Sequence, residues 1–110
     1  SPPASAAVVV YSKAQCHHCD TAREFLRARA VDFTEYKIDS ENKATARKNL
    51  RSMLKLMQEP PRRLTVPQIW VGGEHVGGCS DLLGAAEAGT LAGKLRRAQA
   101  ASAFWHATFV

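Results

Sequence analysis

Apolar residues cluster first at Ala6 to Tyr11, a short Val-rich run bounded by Ser and Lys that reads as a buried strand. From His17 to Arg29, Ala22, Phe25 and Leu26 fall at helical spacing, with Arg23, Glu24 and Arg27 on the other side. Val31 to Ile38 alternates in a mixed way and meets turn chemistry at Asp39-Ser40, which predicts a second strand. Either Asp39 or Ser40 suits the cap of a second helix, whose apolar stripe is Leu50, Met53, Leu54 and Met57 and which Pro60-Pro61 ends. Gln68 to Val71 and Glu74 to Gly77 are two short strands about a Gly72-Gly73 turn. Ser80 then offers a cap for a helix from Asp81 to Ala88, and Thr90 for a last helix ending near Ala100. The order β-α-β-α-β-β-α-α predicts an α/β fold with one sheet between helices, the first two strands parallel through a right-handed crossover.

A chain of 110 residues has room for one domain. It can bury roughly two-thirds of its unfolded surface, so it needs no disulfide staples. Three cysteines, two of them in a Cys-x-x-Cys pair, suit a reducing compartment in which thiols do chemistry. Cytoplasm or an organelle matrix, mitochondrial or plastid, is the expected setting, and secretion is not. The formal charge of +5 is dispersed from Lys13 to Arg97 without a dominant block, which favours small anions and acidic partners over nucleic acid. No apolar stretch approaches the roughly 20 residues a membrane span needs, so no membrane partner is expected. Ser1 to Ala7 lacks a leader pattern and is expected to be a flexible segment.

Cys16 and Cys19 carry the chemistry. Three positions apart at a helix start, they lie within reach of a disulfide. Cys16 meets the unpaired N–H groups and the dipole end, worth about half a positive charge, and both favour its thiolate. Such surroundings lower a cysteine pKa from about 8.5 into a range of about 3.5 to 7.5, which makes Cys16 the attacking sulfur. The rival is metal, because Cys16-His17-His18-Cys19 sets four ligand-type side chains in a row. Successive helical residues point about 100° apart, so at most Cys16 and Cys19 share a face, and a closed zinc site needs a second pair. Cys79, His75 and His106 have no such spacing.

The Cys-x-x-Cys pair is followed by Thr65-Val66-Pro67 and by Gly77-Gly78-Cys79-Ser80-Asp81, and preceded by Tyr11-Ser12-Lys13. With these motifs the chain, from Val8 to about Leu95, closely resembles the glutaredoxin family. The resemblance implies a thioredoxin-like fold, with a four-stranded mixed sheet flanked by helices on both faces and a domain spanning residues 8–100. It implies a glutathione-dependent thiol–disulfide oxidoreductase that reduces protein–glutathione mixed disulfides and protein disulfides, with Cys16 the nucleophile and Cys19 the resolving thiol. Glutathione is then the reducing co-substrate, glutathionylated or disulfide-containing proteins are the other partners, and a monomer is expected. The resemblance further implies a cis Val66-Pro67 bond facing Cys16. Glutathione would be held by Lys13, Thr65, Val66, Pro67, Gly78, Cys79, Ser80 and Asp81: Lys13 taking its glycine carboxylate, N–H groups near Ser80 its γ-glutamyl carboxylate, and Asp81 its ammonium. The minor alternative, drawn from the same family, is a carrier or scaffold for a 2Fe–2S cluster ligated by Cys16 of two subunits and two glutathiones.

The pattern departs from the family in three places. His17-His18 stands where Pro-Tyr is common, and the span from Asp39 to Thr65 is longer than in compact members. The tail at residues 101–110, with Phe104, Trp105 and Phe109, has no counterpart.

Overall fold

The structure, a computed structural model, describes the backbone of residues 7–109 and the side chains of residues 7–101. Four strands, β1 (Val8–Ser12), β2 (Thr34–Lys37), β3 (Gln68–Val71) and β4 (Glu74–Gly77), form one sheet in the order β2-β1-β3-β4. β1 pairs parallel with β2 and antiparallel with β3, which pairs antiparallel with β4. The helices are α1 (His17–Ala28), α2 (Lys43–Leu56), α3 (Cys79–Glu87) and α4 (Thr90–Phe109). This is the thioredoxin-like arrangement.

The sheet is packed on both faces, which explains why β1 reads as an apolar run rather than an alternation. Val8 and Val10 of β1, with Ile69 and Val71 of β3, face Ala22 and Leu26 of α1, Leu82 of α3, and Leu91 and Ala98 of α4. Tyr11 and Trp70 point to the opposite face and pack with Met53 and Met57 from α2 and its C-terminal end. Met53 and Met57 of the expected stripe are buried and Leu50 packs against them. Of the described residues, none lies in a helix long and apolar enough to cross a membrane.

Several boundaries differ from the sequence expectation, each for a local reason. β2 is confined to Thr34–Lys37 because the Val31 N–H still bonds back to Leu26 O after a left-handed Ala30, although the Val31 side chain is in the core. α2 is capped by Asn42, whose Oδ1 accepts from the Thr45 N–H at 3.0 Å, and not by Asp39 or Ser40. α3 begins two residues early, at Cys79, with Gly78 as N-cap, so Ser80 lies inside its first turn rather than capping it. Thr90 is the first residue of α4 and its hydroxyl donates to Ala85 O, while the helix runs past Ala100 to Phe109. The expected start of β1 at Ala6, the segment before it, and the side chains of Phe104, Trp105, His106 and Phe109 lie outside the described residues.

Candidate active site

Where β1 ends, the chain turns sharply into α1. Gln15 adopts a left-handed φ of 52°, and the Asp39 carboxylate accepts the Ala14 N–H at 2.9 and 3.2 Å, so this residue, expected as a cap, instead ties down the loop before Cys16. A second tether lies beneath. The buried Ser12 hydroxyl donates to Glu35, whose carboxylate accepts from Arg23 Nε at 3.2 Å, and Arg23 also bonds Asp20 at 2.9 Å. These contacts link the end of β1, β2 and the first turns of α1.

Cys16 is the N-cap of α1, in extended conformation, and its sulfur accepts the Cys19 N–H at 3.2 Å. The cap position that Ser or Asp usually fills is therefore held by sulfur, and this places any charge on it against the helix N-terminus. Cys16 and Cys19 are joined as a disulfide, with Cα atoms 5.2 Å apart. Cys19 is fully buried and Cys16 nearly so. Val66 O lies 3.7 Å from Cys16 Sγ, and the Val66-Pro67 bond is cis.

Next to the disulfide opens a groove of about 720 Å³. One wall is the segment Thr65, Val66 and Pro67, another is Gly78, Cys79, Ser80 and Asp81, and His17 and His18 stand at its edge. The residues expected to hold glutathione thus meet in one cavity, except Lys13, which is exposed and does not line it; Cys16 and Cys19 are not among its lining residues, and Cys16 borders it through its contact with Val66 O. Gly77 makes the α3 wall possible. Its φ of 116° suits only glycine, and a Cβ there would run into the Asp81 carboxylate. That carboxylate accepts the Gly78 N–H at 2.9 Å, closing the first turn of α3, and Gly78 comes close to Pro67 O, which seats α3 beside the proline loop. Cys79 is unpaired and packs into the core, where burial pushes its thiol pKa up, against the formation of a thiolate. Among the described residues, no group of three or more His, Cys, Asp or Glu is arranged to hold a metal ion.

The structure adds residues that motif reading left aside. Gln68, buried at the start of β3, donates from Nε2 to Thr65 O at 3.0 Å and to Thr65 Oγ1 at 3.2 Å, and it bonds His75 Nε2 at 2.7 Å. The sequence suggested His75 only as a stray metal ligand, yet here it lines the groove and stacks on Trp70 at 4.4 Å. The signal was present in the hairpin. A two-residue turn at Gly72-Gly73 sets Trp70 opposite His75, as found.

A thioredoxin-like sheet that brings two cysteines to a disulfide at a helix start defines a class of protein, the thiol–disulfide oxidoreductases. Residues 8–76 match the glutaredoxin family model. The chain is 37% identical over 84 residues to a glutaredoxin of Pseudomonas aeruginosa, a match that covers 76% of this chain and 89% of that one. Among solved structures it resembles the dithiolic glutaredoxin 2-C-Grx1 of Trypanosoma brucei brucei, with a TM-score of 0.65 and 34% identity over 81% of this chain and 86% of that one. A buckwheat glutaredoxin–glutathione complex shares the fold, with a TM-score of 0.69 and 23% identity over 84% of this chain and 78% of that one. The chain belongs to the glutaredoxin family, and it is a glutathione-dependent thiol–disulfide oxidoreductase.

Proposed function

We propose that the chain removes glutathione from protein–glutathione mixed disulfides through Cys16, with Cys19 needed for protein disulfides. The Cys16 thiolate attacks the glutathione sulfur; the protein sulfur leaves as a thiolate and takes a proton, and Cys16 holds the glutathionyl group. The thiolate of a second glutathione attacks that glutathionyl sulfur, releasing oxidised glutathione and restoring the Cys16 thiolate. With a protein disulfide, Cys16 forms a mixed disulfide with the protein, Cys19 displaces it by closing the Cys16–Cys19 bond, and two glutathiones reopen that bond. Holding both reactants at one groove is what makes the exchange fast.

The observation that carries this reading is the contact of Cys16 Sγ with Val66 O at 3.7 Å, on the rim of a groove also walled by the start of α3. Val66 offers backbone hydrogen bonds to an extended tripeptide, the first-turn N–H groups at Cys79 and Ser80 suit its γ-glutamyl carboxylate, and Asp81 suits its ammonium. Lys13, outside the groove lining, reaches the glycine carboxylate only if its side chain swings over the rim. A glutathione-coupled reduction assay on wild type, Cys16→Ser and Cys19→Ser tests the proposal. Cys16→Ser should be inactive on every disulfide, and Cys19→Ser should keep its activity on glutathionylated peptide while losing protein-disulfide reduction. An active Cys16→Ser enzyme would overturn it.

A further inference from the structure

We infer that His75 and Gln68 are positioning residues for the glutathionyl group: a hydrogen-bonded chain, His75 to Gln68 to Thr65, fixes the Thr65-Val66 backbone against which the substrate lies. The inference rests on the proposal that the groove takes that group.

The donor and acceptor count leaves Gln68 one orientation. Its Nε2 faces the Thr65 carbonyl at 3.0 Å, an acceptor only, which would repel the carboxamide oxygen, while the Thr65 hydroxyl at 3.2 Å suits either group. Oε1 therefore faces His75, and Nε2 of the imidazole is the donor across 2.7 Å. Gln68 is 6% exposed, so its carboxamide depends on these two partners, although Thr65 and His75 are themselves exposed.

Both ends of the chain are anchored differently. Gln68 stands in register with Tyr11 in the centre of the sheet, so its backbone is fixed. The His75 ring lies 18° from parallel on Trp70, which is itself buried and edge-on to Tyr11 at 5.5 Å, and this stack aims the imidazole Nε2 at the carboxamide. Thr65 is exposed and belongs to no strand, yet its next residue supplies the carbonyl 3.7 Å from Cys16 Sγ. The carboxamide is the link that transmits the rigidity of the sheet to this loop. Substrate and transition state lean on the loop alike, so loosening it should weaken binding more than the chemical step.

The variants divide the chain at its two joints. Gln68→Glu keeps an acceptor for His75 but sets a carboxylate against the Thr65 carbonyl oxygen. His75→Phe keeps a ring to stack on Trp70 but has no donor. The measurement is glutathione-coupled reduction of a glutathionylated peptide, with the alkylation rate of reduced Cys16 and the urea unfolding midpoint read on each protein. We expect Gln68→Glu to raise KM about tenfold and His75→Phe about threefold, with kcat and the Cys16 alkylation rate each within about twofold of wild type. A merely structural role would lower the urea midpoint and leave KM unmoved; that result in either variant overturns the inference, as does a fall in kcat at constant KM. A wild type that reduces the peptide without saturating overturns the proposed function along with it, whereas a saturable wild type with unmoved variants sinks the inference alone.

Discussion

Two helices begin with a cysteine at the active site, and the two thiols are equally hidden: Cys16 at α1 and Cys79 at α3 are each 7% exposed. What separates them is the group that occupies the helix N-terminus. At α1 it is the sulfur itself, which accepts the Cys19 N–H and faces Val66 O. At α3 it is the Asp81 carboxylate, bonded to the Gly78 N–H, while the Cys79 side chain turns into the core and its pKa is raised by burial. One helix terminus favours a thiolate; the other already has a carboxylate bonded in its first turn. Burial fraction alone would have ranked the two cysteines together, and hydrogen-bond partners tell them apart.

The sharpest way to break this contrast is to remove each sulfur in turn. Cys16→Ser should lower glutathionyl reductase activity by at least about a thousandfold, since the nucleophile is gone. Cys79→Ser should leave it within about threefold, with a modest loss of stability from placing a hydroxyl in an apolar site. Steady-state rates on one glutathionylated peptide compare the two. Comparable losses would mean that Cys79 shares the chemistry.

The second break is at the glycine that allows α3 its carboxylate cap. Gly77→Ala asks an L-residue to hold φ near 116° with its Cβ against Asp81. The expected loss is about 2 kcal/mol, read as a lower urea midpoint at unchanged m-value. A wild-type midpoint would show that the α3 start relaxes without strain.

The contrast between the two helix starts also shows what sequence alone conveyed. The element order, the two-faced sheet around Val8 to Tyr11, the disulfide pair and the convergence of Thr65 to Pro67 with Gly78 to Asp81 were all legible, because each rests on a local pattern or a motif. Capping was less so. Asp39, Ser40, Asn42, Ser80 and Asp81 are all competent caps, and tertiary contacts decide among them: Asp39 is drawn to Ala14, 25 positions away, and Asp81 reaches back over Gly78. Gln68 and His75 were illegible as a pair because their contact needs both the hairpin register and the turn of Thr65 beneath it, neither of which a motif states.

A third test acts on Asp81 itself, the residue that gives α3 its character. Asp81→Ala should raise KM for glutathionylated peptide about fivefold, with kcat within about twofold, because the proposed contact with the glutathione ammonium would be shared by ground and transition states. It also removes the bond to Gly78 N–H and should lower stability by about 1 kcal/mol. Asp81→Asn keeps a hydrogen-bond acceptor but drops the charge, so iodoacetamide should label Cys79 faster than in wild type, though still far more slowly than Cys16. Unchanged Cys79 labelling would assign its inertness to burial alone.

The smallest effect concerns His17 and His18, which have no equivalent at the start of α3. Both are exposed, their rings 5.9 Å apart, within one turn of the nucleophile and at the edge of the groove. Imidazole can carry a positive charge, and a cation beside Cys16 favours thiolate over thiol. Solvent screens charges this exposed, so the contribution adds only modestly to that of the helix N-terminus. A positive charge on either ring would stabilise the thiolate, so removing both rings should slow attack by Cys16. Iodoacetamide rates against pH, measured on His17→Ala/His18→Ala with Cys19→Ser and Cys79→Ser to isolate one thiol, should show alkylation slowed by about two- to threefold relative to the same background with both histidines. Equal rates at every pH would leave the helix terminus as the source of Cys16 reactivity and give the two rings no electrostatic part in it.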